Sequence, residues 1–391
     1  MTNAAPPVFD GLVGQSRVVG QLTAAVAAAQ RVLQGVADPG MTHAWLFTGP
    51  PGSGRSVAAR GFAAALQCPD GGCGECRECR TALGGAHPDV EVVTPSGLSY
   101  GVAETRQLVA RAALAPARRR WQVTVVEDAD RFTEQALNAL LKALEEPPER
   151  GVWLLCAPSP EDLLPTIRSR CRMVTLRIPP YDDVAAYLEA EGIEAAVARA
   201  AAHAAQAHIG RARRLAVDPA AANRRHEVLA LPGQVDRIGS CFAAAARLVD
   251  AAKQDAADVT ATLDEEEKAA LREAMGDTGA RGPRPRGLAA AVSDLERRQR
   301  SRATRTQRDA LDRALVDLAA FYRDVLMLQL GAPVDLINGD RAAELAEVAG
   351  GSTPEATLRR IEAVLACREA IHANVAPQLA AEAMAVALHR G

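Results

Sequence analysis

A glycine-rich stretch in the first quarter of the chain constrains the fold more than any other feature of the sequence. Its members are Gly49, Pro50, Pro51, Gly52, Ser53, Gly54, Arg55 and Ser56. Their spacing is that of the phosphate-binding loop G-x-x-x-x-G-K-[ST], in which backbone N–H groups and the start of a helix surround an anion. Apolar residues 45–47 precede the stretch and an alanine-rich segment follows it. This order predicts a strand, the loop and a helix, and a plain Gly/Pro turn is the weaker interpretation.

Arg55 stands where the motif has lysine. A planar guanidinium keeps the charge, but it is bulkier than an ammonium group and fits poorly in a cavity sized for one donor beside a phosphate. We therefore expect phosphate binding to survive and hydrolysis to be lost. Lysine occurs only at positions 142, 253 and 268, so the exchange also fits a general drift from lysine to arginine and does not establish inactivity by itself.

Length and composition set the general class of protein. The 391 residues, 48% hydrophobic and 24% charged, are enough for two or three domains with buried cores. A formal net charge of -3 predicts no overall attraction to nucleic acid, so any contact with DNA has to come from a local patch or from partner subunits. No apolar run approaches the ~20 residues of a membrane span. Because the N-terminus also lacks an export signal, we expect a cytoplasmic protein without membrane contacts.

The hydrophobic pattern predicts an α/β part followed by an all-α part. Short apolar runs alternate with helical ones up to about residue 177, which is typical of a parallel sheet covered by helices. The candidate strands are residues 44–48, 90–94, 121–126, 152–157 and 173–176. Beyond Pro179 and Pro180 the pattern is helical. The predicted domains are residues 1–178, 179–232 and 233–391: a nucleotide-binding domain, a small helical lid and a longer helical domain.

Two segments of the third domain stand out. Apolar positions between residues 311 and 326 recur at helical spacing and face either a core or another subunit. Residues 276–287 are rich in Gly, Arg and Pro, which suits a mobile loop. We derive no function for that loop or for the charged run at residues 297–308.

Four of the eight cysteines crowd into one short segment, at Cys68, Cys73, Cys76 and Cys79. Four thiolates at this spacing suit one tetrahedral zinc ion, and four sulfur ligands leave no open coordination position, so a structural role is expected. An iron–sulfur cluster is the main alternative, followed by unliganded thiols. A zinc-dependent nucleic-acid binder is a weaker hypothesis because acidic and basic residues alternate here without a strong basic face.

The apolar run at residues 123–126 ends in Glu127 and Asp128. Walker-type ATPases place a magnesium-binding Asp and then a water-activating Glu at such a strand end, so the order here is reversed. The shorter second carboxylate is set back by about one methylene, and a misplacement of about 1 Å can cost roughly 100-fold in rate. Hydrolysis is therefore expected to be impaired twice. The alternative is an acidic turn that caps the next helix.

Ser169 and Arg170 lie between the fourth and fifth candidate strands. An arginine at the rim of a nucleotide domain can reach a neighbour's site and stabilise charge on a transferred phosphoryl group. A lone arginine in a loop is usually a solvated surface charge. Its surroundings here favour an arginine finger supplied in trans.

These motifs together resemble the AAA+ clamp-loader family of bacterial DNA polymerase III, and within it the δ′ (delta prime) branch. The resemblance rests on Phe9-x4-Gly14-Gln15, the glycine-rich loop, the cysteine segment, the residues 138–148 and Ser169-Arg170-Cys171. It implies an AAA+ parallel-sheet domain with a zinc knuckle inserted, a helical lid and a C-terminal helical collar that holds a hetero-pentamer. It implies no polymerase active site in this chain.

The resemblance further implies a stator that helps load the sliding clamp onto primed DNA and offers Arg170 to an adjacent motor subunit's ATP. The implied partners are the gamma/tau motor subunits, the delta subunit, the clamp and, through the complex, primed DNA. Arg213 aligns with a second sensing arginine of the motors, which keeps a nucleotide role open. ATP or ADP would be the ligand of the loop, with Mg²⁺ only if nucleotide is bound. The alternative is an active gamma/tau-like motor ATPase.

Overall fold

The computed structural model describes residues 5–95, 97–118, 120–274 and 288–391. The chain divides into two compact units, Met1–Arg213 and Arg214–Gly391. The finer division at residues 178 and 232 stays a prediction, and the loop predicted at residues 276–287 lies outside the described residues. No helix in the described part of the chain has the length and apolar character needed to cross a membrane.

A five-stranded parallel sheet forms the centre of the first unit. Its strands are β1 (Ala44–Thr48), β2 (Val90–Val93), β3 (Gln122–Val126), β4 (Gly151–Ala157) and β5 (Arg172–Thr175). They lie in the order β2-β3-β4-β1-β5, and every neighbouring pair is parallel. All residues of β1, β3 and β4 are buried, because helices cover both faces of a parallel sheet. The five strands predicted from the apolar runs are confirmed to within a residue or so at each end.

Helices enclose two hydrophobic cores, one on each face of the sheet. The helices that follow the sheet pattern are α1 (Ser16–Leu33), α2 (Arg55–Gln67), α3 (Arg77–Leu83), α4 (Val102–Ala112), α5 (Glu134–Glu145) and α6 (Pro165–Arg168). Three more follow the last strand: α7 (Tyr181–Ala190), α8 (Ala195–Ala204) and α9 (Ile209–Val217). Helix α2 is buried along most of its length, so the loop at its start is held by the core.

The second unit is entirely helical in its described residues. Its helices are α10 (Pro219–Leu229), α11 (Ile238–Ala274), α12 (Leu288–Gln329), α13 (Ala342–Gly350), α14 (Pro354–His372) and α15 (Pro377–Arg390). The apolar positions of α12 that recur at helical spacing, among them Leu311, Leu315, Leu318 and Phe321, are buried in one core with residues of α11, α14 and α15. Of the two interpretations that the sequence left open, the structure supports a core within the unit.

Candidate functional site

The glycine-rich loop joins β1 to α2, as the sequence predicts. Gly49, Gly52 and Gly54 have φ angles of 148°, 88° and 92°, a region that side chains other than glycine rarely adopt. A Cβ atom on Gly49 would lie 2.6 Å from the Leu176 carbonyl oxygen, so the chain approaches too closely for a side chain there. Helix α2 starts directly after Gly54, and its N-terminal end faces the loop. This arrangement can accept an anion.

The side chain of Arg55 turns back into its own loop. Its Nη1 donates a hydrogen bond of 2.6 Å to the carbonyl oxygen of Gly49, the first residue of the motif. The guanidinium is therefore used within the loop, although its remaining N–H groups are still donors. The buried hydroxyl of Ser53, in the same loop, has no hydrogen-bond partner among the described residues.

The acidic turn after β3 is held by groups from elsewhere in the fold. Arg60 on α2 places its Nε 3.0 Å from Glu127 Oε1, and the Tyr100 hydroxyl donates to the Glu127 carbonyl oxygen at 2.7 Å. Asp128 has a positive φ of 52°. Among the described residues, its side chain makes no capping hydrogen bond to the short turn that follows. The carboxylate predicted to bind magnesium or activate water is thus already paired.

Asp130 lies two residues after Asp128 and is a further candidate site residue, which the sequence motifs did not identify. Burial raises the pKa of its carboxyl group above the ordinary value, and the charge of Asp128 adds to this, while Arg131 and Arg55 oppose it. Within the described residues its Oδ1 is buried without a hydrogen-bond partner. The sequence signal was only a third acidic residue after the strand.

Gln15 ties the loop to the end of the sheet. Its buried side chain donates from Nε2 to the carbonyl oxygen of Arg177 at 2.5 Å and to that of Ser53 at 3.3 Å. The amide of Arg177 donates back to Gln15 Oε1 at 3.3 Å. The Gly14-Gln15 pair in the sequence therefore positions the loop, which no local pattern could have revealed.

Helix α9 begins beside the loop within the first unit. A Cβ atom on Gly52 would lie 2.8 Å from the Cβ atom of His208, the residue before α9. Arg213 lies about one turn into this helix, and its Nε is 3.0 Å from Glu191 Oε2. The structure thus brings the start of the predicted lid helix to the loop and gives Arg213 an acidic partner.

Arg170 lies between α6 and β5. Its Nη2 donates to Glu145 Oε1 at 2.5 Å and its Nη1 to the Thr166 carbonyl oxygen at 2.7 Å. Ser169 donates from its hydroxyl to the same carbonyl at 3.1 Å. The arginine side chain remains 36% exposed, so its position is fixed while part of the guanidinium faces solvent.

The four clustered cysteines converge on one point. All four Sγ atoms lie within 4.8 Å of one another, and those of Cys73 and Cys76 are 3.6 Å and 3.8 Å from that of Cys68. A tetrahedral zinc ion with bonds of about 2.3 Å separates its sulfur ligands by about 3.8 Å, so the cluster fits one such ion. An iron–sulfur cluster would spread the thiolates further, because several iron and sulfide atoms would separate them.

The backbone around the cysteines is shaped for these contacts. The amides of Cys73, Cys76 and Cys79 each donate to the sulfur of the preceding cysteine in the cluster, at 3.4 Å. Hydrogen bonds from the Cys76 and Glu75 amides lower the pKa of Cys73 to about 7, whereas burial raises the pKa values of Cys76 and Cys79. Gly72, with a φ of 117°, lies so close to Val8 that a Cβ atom would clash at 2.7 Å. The residues present therefore fit a bound metal ion.

Comparisons with known proteins find similarity to subunits of DNA polymerase III. Residues 26–180 match the family described as "DNA polymerase III, delta subunit". DNA polymerase III subunit gamma/tau of Mycobacterium tuberculosis is 36% identical over 197 residues, which are 48% of this chain and 32% of that protein. DNA polymerase III subunit delta′ of Pseudomonas aeruginosa is 38% identical over 143 residues, 35% of this chain and 44% of that protein.

A solved structure from Thermotoga maritima, described as a DNA polymerase III gamma subunit-related protein, also matches. It has 18% sequence identity and a TM-score of 0.33, and the match covers 74% of this chain and 99% of that one. The chain spans less than half the length of the curated relatives it matches.

Proposed function

We propose that this protein is a δ′-like subunit of the AAA+ clamp loader of DNA polymerase III, because residues 26–180 match the family described as "DNA polymerase III, delta subunit" and parts of the chain are 36% and 38% identical to gamma/tau and delta′ subunits. It acts as a stator that helps load the sliding clamp onto primed DNA. Its contribution to catalysis is Arg170, supplied in trans to the ATP of a neighbouring motor subunit. Its own site does not hydrolyse nucleotide.

The position of Arg170 relative to the glycine-rich loop is the observation that carries this proposal. β1 and β5 are parallel neighbours, the loop follows the end of β1, and Arg170 precedes the start of β5. The loop and Arg170 therefore lie at opposite ends of these two strands. At about 3.3 Å per residue, one strand length separates them by roughly 15 Å. An arginine side chain cannot span that distance, so Arg170 is unsuited to its own loop and suited to a neighbour's. Glu145 and Thr166 hold it there with part of the guanidinium exposed.

The state of the chain's own loop supports the stator over the motor. Matches to both gamma/tau and delta′ subunits do not separate these roles. The hydrogen bond from Arg55 to Gly49 and the ion pair of Arg60 with Glu127 favour the stator, because they use the groups that a hydrolytic site directs at phosphate and water. Binding of ATP or ADP without turnover fits the same geometry, with Mg²⁺ accompanying the nucleotide and Arg213 sensing it.

The remaining ligands and partners follow from the same assignment. Cys68, Cys73, Cys76 and Cys79 hold a structural Zn²⁺, with no open position for catalysis. The gamma/tau motors and the delta subunit are the direct partners, reached through the helical collar. The clamp, primed DNA and the polymerase are reached through the assembled complex, in the cytoplasm.

The first test is Arg170→Ala in a reconstituted loader. Assembly should be unchanged, while the site that Arg170 completes should lose about 10³-fold or more of its turnover, as for other arginine fingers. Arg168→Ala is the matched control: Arg168 ends α6 two residues before Arg170 and pairs with Glu161 at 3.5 Å, and its loss should leave the ATPase rate unaltered. Equal ATPase rates for the Arg170 variant and wild type would remove the finger assignment.

An active motor ATPase of the gamma/tau type is the second candidate, favoured by the complete glycine framework of the loop and by 36% identity to a gamma/tau subunit. It predicts ATP hydrolysis by the purified chain that Arg55→Ala abolishes. The stator predicts no hydrolysis above background by either protein. Elemental analysis of the same preparation should find one zinc per chain, and iron or no metal would contradict the metal assignment.

A further inference from the structure

Arg120 connects the cysteine cluster to the sheet. It lies just before Trp121 and β3, and it is partly buried. Its Nη2 donates to the carbonyl oxygen of Cys68 at 3.0 Å, and its Nε donates to that of Leu66 at 3.2 Å. The guanidinium thus contacts the backbone of the first metal-ligating residue from a point 52 residues further along the chain.

The cluster creates a charge that needs an opposing one. Four thiolates around one divalent ion carry a net charge of about -2, and burying an unbalanced charge is costly. Cys68 and Cys79 are fully buried. The amide hydrogen bonds to sulfur offset part of this charge, but they are dipoles and not cations.

Arg120 is placed to supply the cation, because its guanidinium contacts the backbone of Cys68. Burial lowers the pKa of this guanidinium, and the charges of Cys68 and Glu78 oppose that shift. Arginine suits such a position because its charge is spread over a plane and is more weakly hydrated than an ammonium group. The other two arginines of the segment, Arg77 and Arg80, are exposed.

We infer that Arg120 is a positioning residue of the metal site: it fixes the backbone of Cys68 and balances the negative charge of the ligand set, and so raises metal affinity. The inference rests on the zinc site proposed above. It adds a residue that lies outside the cysteine motif and that the spacing of the ligands could not reveal.

A simpler role has to be distinguished from this one. Arg120 also contacts carbonyl oxygens at the C-terminal end of α2, where a cation caps a helix whether or not a metal is present. A cap stabilises the metal-free and metal-bound chains equally. A positioning residue stabilises the metal-bound chain more, so the difference appears in the affinity for zinc.

The experiment compares zinc affinities by competition with a chromogenic chelator for the full chain, Arg120→Met, Arg120→Lys and the control Arg80→Met. Loss of a partner that orients a ligand typically weakens metal binding by about 10–100-fold, which is the expectation for Arg120→Met. Arg120→Lys keeps the charge without the paired donors and should weaken binding by less. Arg80→Met should bind zinc as wild type does.

Thermal unfolding with zinc and with excess chelator gives the second readout. The drop in melting temperature caused by Arg120→Met should be larger in the zinc-bound protein. Equal drops together with unchanged zinc affinity would show a helix cap and overturn the inference. If Arg120→Met does not fold, an unchanged affinity of Arg120→Lys overturns it. Absence of zinc from the wild-type chain would remove the metal site itself, an outcome distinct from wild type and variants binding zinc equally.

Discussion

The sequence predicts nucleotide-binding roles for Arg55 and Glu127, and the structure pairs each of them with another group of the fold. Arg55 donates to Gly49 within the loop, and Glu127 pairs with Arg60 on the helix that the loop begins. Arginine permits the first bond because it carries several donors on a rigid plane. The arginine that replaces lysine in the motif therefore makes a hydrogen bond within the loop.

Arg55→Lys restores the residue that the motif requires. A compact ammonium group leaves room beside a phosphate, so ATP should bind about tenfold more tightly, equivalent to about 1.4 kcal/mol. Hydrolysis should still be absent, because Arg60 continues to hold Glu127. Titration with a fluorescent ATP analogue and an ATPase assay of the single variant check both parts.

Arg31→Lys serves as the control for that measurement, since Arg31 is a surface residue paired with Asp38. It should change neither binding nor turnover. ATP hydrolysis by the Arg55→Lys protein alone would mean that the exchange by itself silences the site and that Arg60 does not.

The candidate site could be predicted from sequence where its members are close along the chain. The loop, the cysteines and the acidic pair are each contiguous or nearly so, and their chemistry follows from spacing. Their partners could not be found this way: Arg60 lies 67 residues from Glu127, and Glu145 lies 25 residues from Arg170. Those contacts depend on how helices cover the sheet, which a local pattern does not contain.

The strands were predictable because each buried strand of a parallel sheet is a continuous apolar run. The sheet order was not, since hydrophobic runs do not specify which neighbour a strand pairs with. The order makes β1 and β5 neighbours, and their parallel direction sets Arg170 and the loop at opposite ends of these strands. In the cysteine segment, we expect a short helix to depend on the bound metal ion.

Helix α3 has seven residues and follows Cys76, whose sulfur accepts the capping hydrogen bond from the Cys79 amide. So short a helix is not stable by itself. Removing zinc with a chelator should therefore raise amide hydrogen exchange across residues 68–83 by at least tenfold, which corresponds to about 1.4 kcal/mol of local stability. The central strands should keep their protection.

Hydrogen exchange followed by mass spectrometry measures this region by region, and adding zinc back provides the control because it should restore protection. Unchanged exchange at residues 68–83 would mean that the fold of this segment does not depend on the metal.

At the scale of the whole molecule, one carboxylate of the helical unit pairs with three arginines. Asp255 on α11 lies 2.5 Å from Arg214, 3.1 Å from Arg224 and 3.2 Å from Arg313. Burial acts to raise the pKa of Asp255, but the hydrogen bond from Arg214 and the charges of the three arginines together outweigh it and lower the pKa below its ordinary value. One residue thus links α11 to three other points of the unit.

The lowered pKa fixes the sign of the pH dependence. The stabilisation is complete above the unfolded pKa of about 4 and is lost as pH falls through the lower folded pKa. Asp255→Asn should therefore reduce the free energy of unfolding by about 1–3 kcal/mol at pH 7, in the range of hydrogen bonds to charged groups. The difference from wild type should shrink in strongly acidic solution.

Urea unfolding followed by circular dichroism at both pH values tests this expectation. Asp250→Asn is the control on the same helix: Asp250 pairs with Lys253 in solvent and should show little effect at either pH. A deficit for Asp255→Asn that is the same at neutral and acidic pH would exclude the ionised carboxylate as its source.

Arg170 and the glycine-rich loop lie at opposite ends of the parallel strands β5 and β1. If Arg170 is the finger proposed above, these two ends are a donor side and an acceptor side of the subunit. Protomers joined through these sides meet head to tail, and such contacts close into a ring with a direction. A subunit whose own loop does not hydrolyse nucleotide can supply an arginine to a neighbour's site, but it adds no hydrolytic site of its own. Under the proposed function, the assembly therefore has fewer hydrolytic sites than subunits.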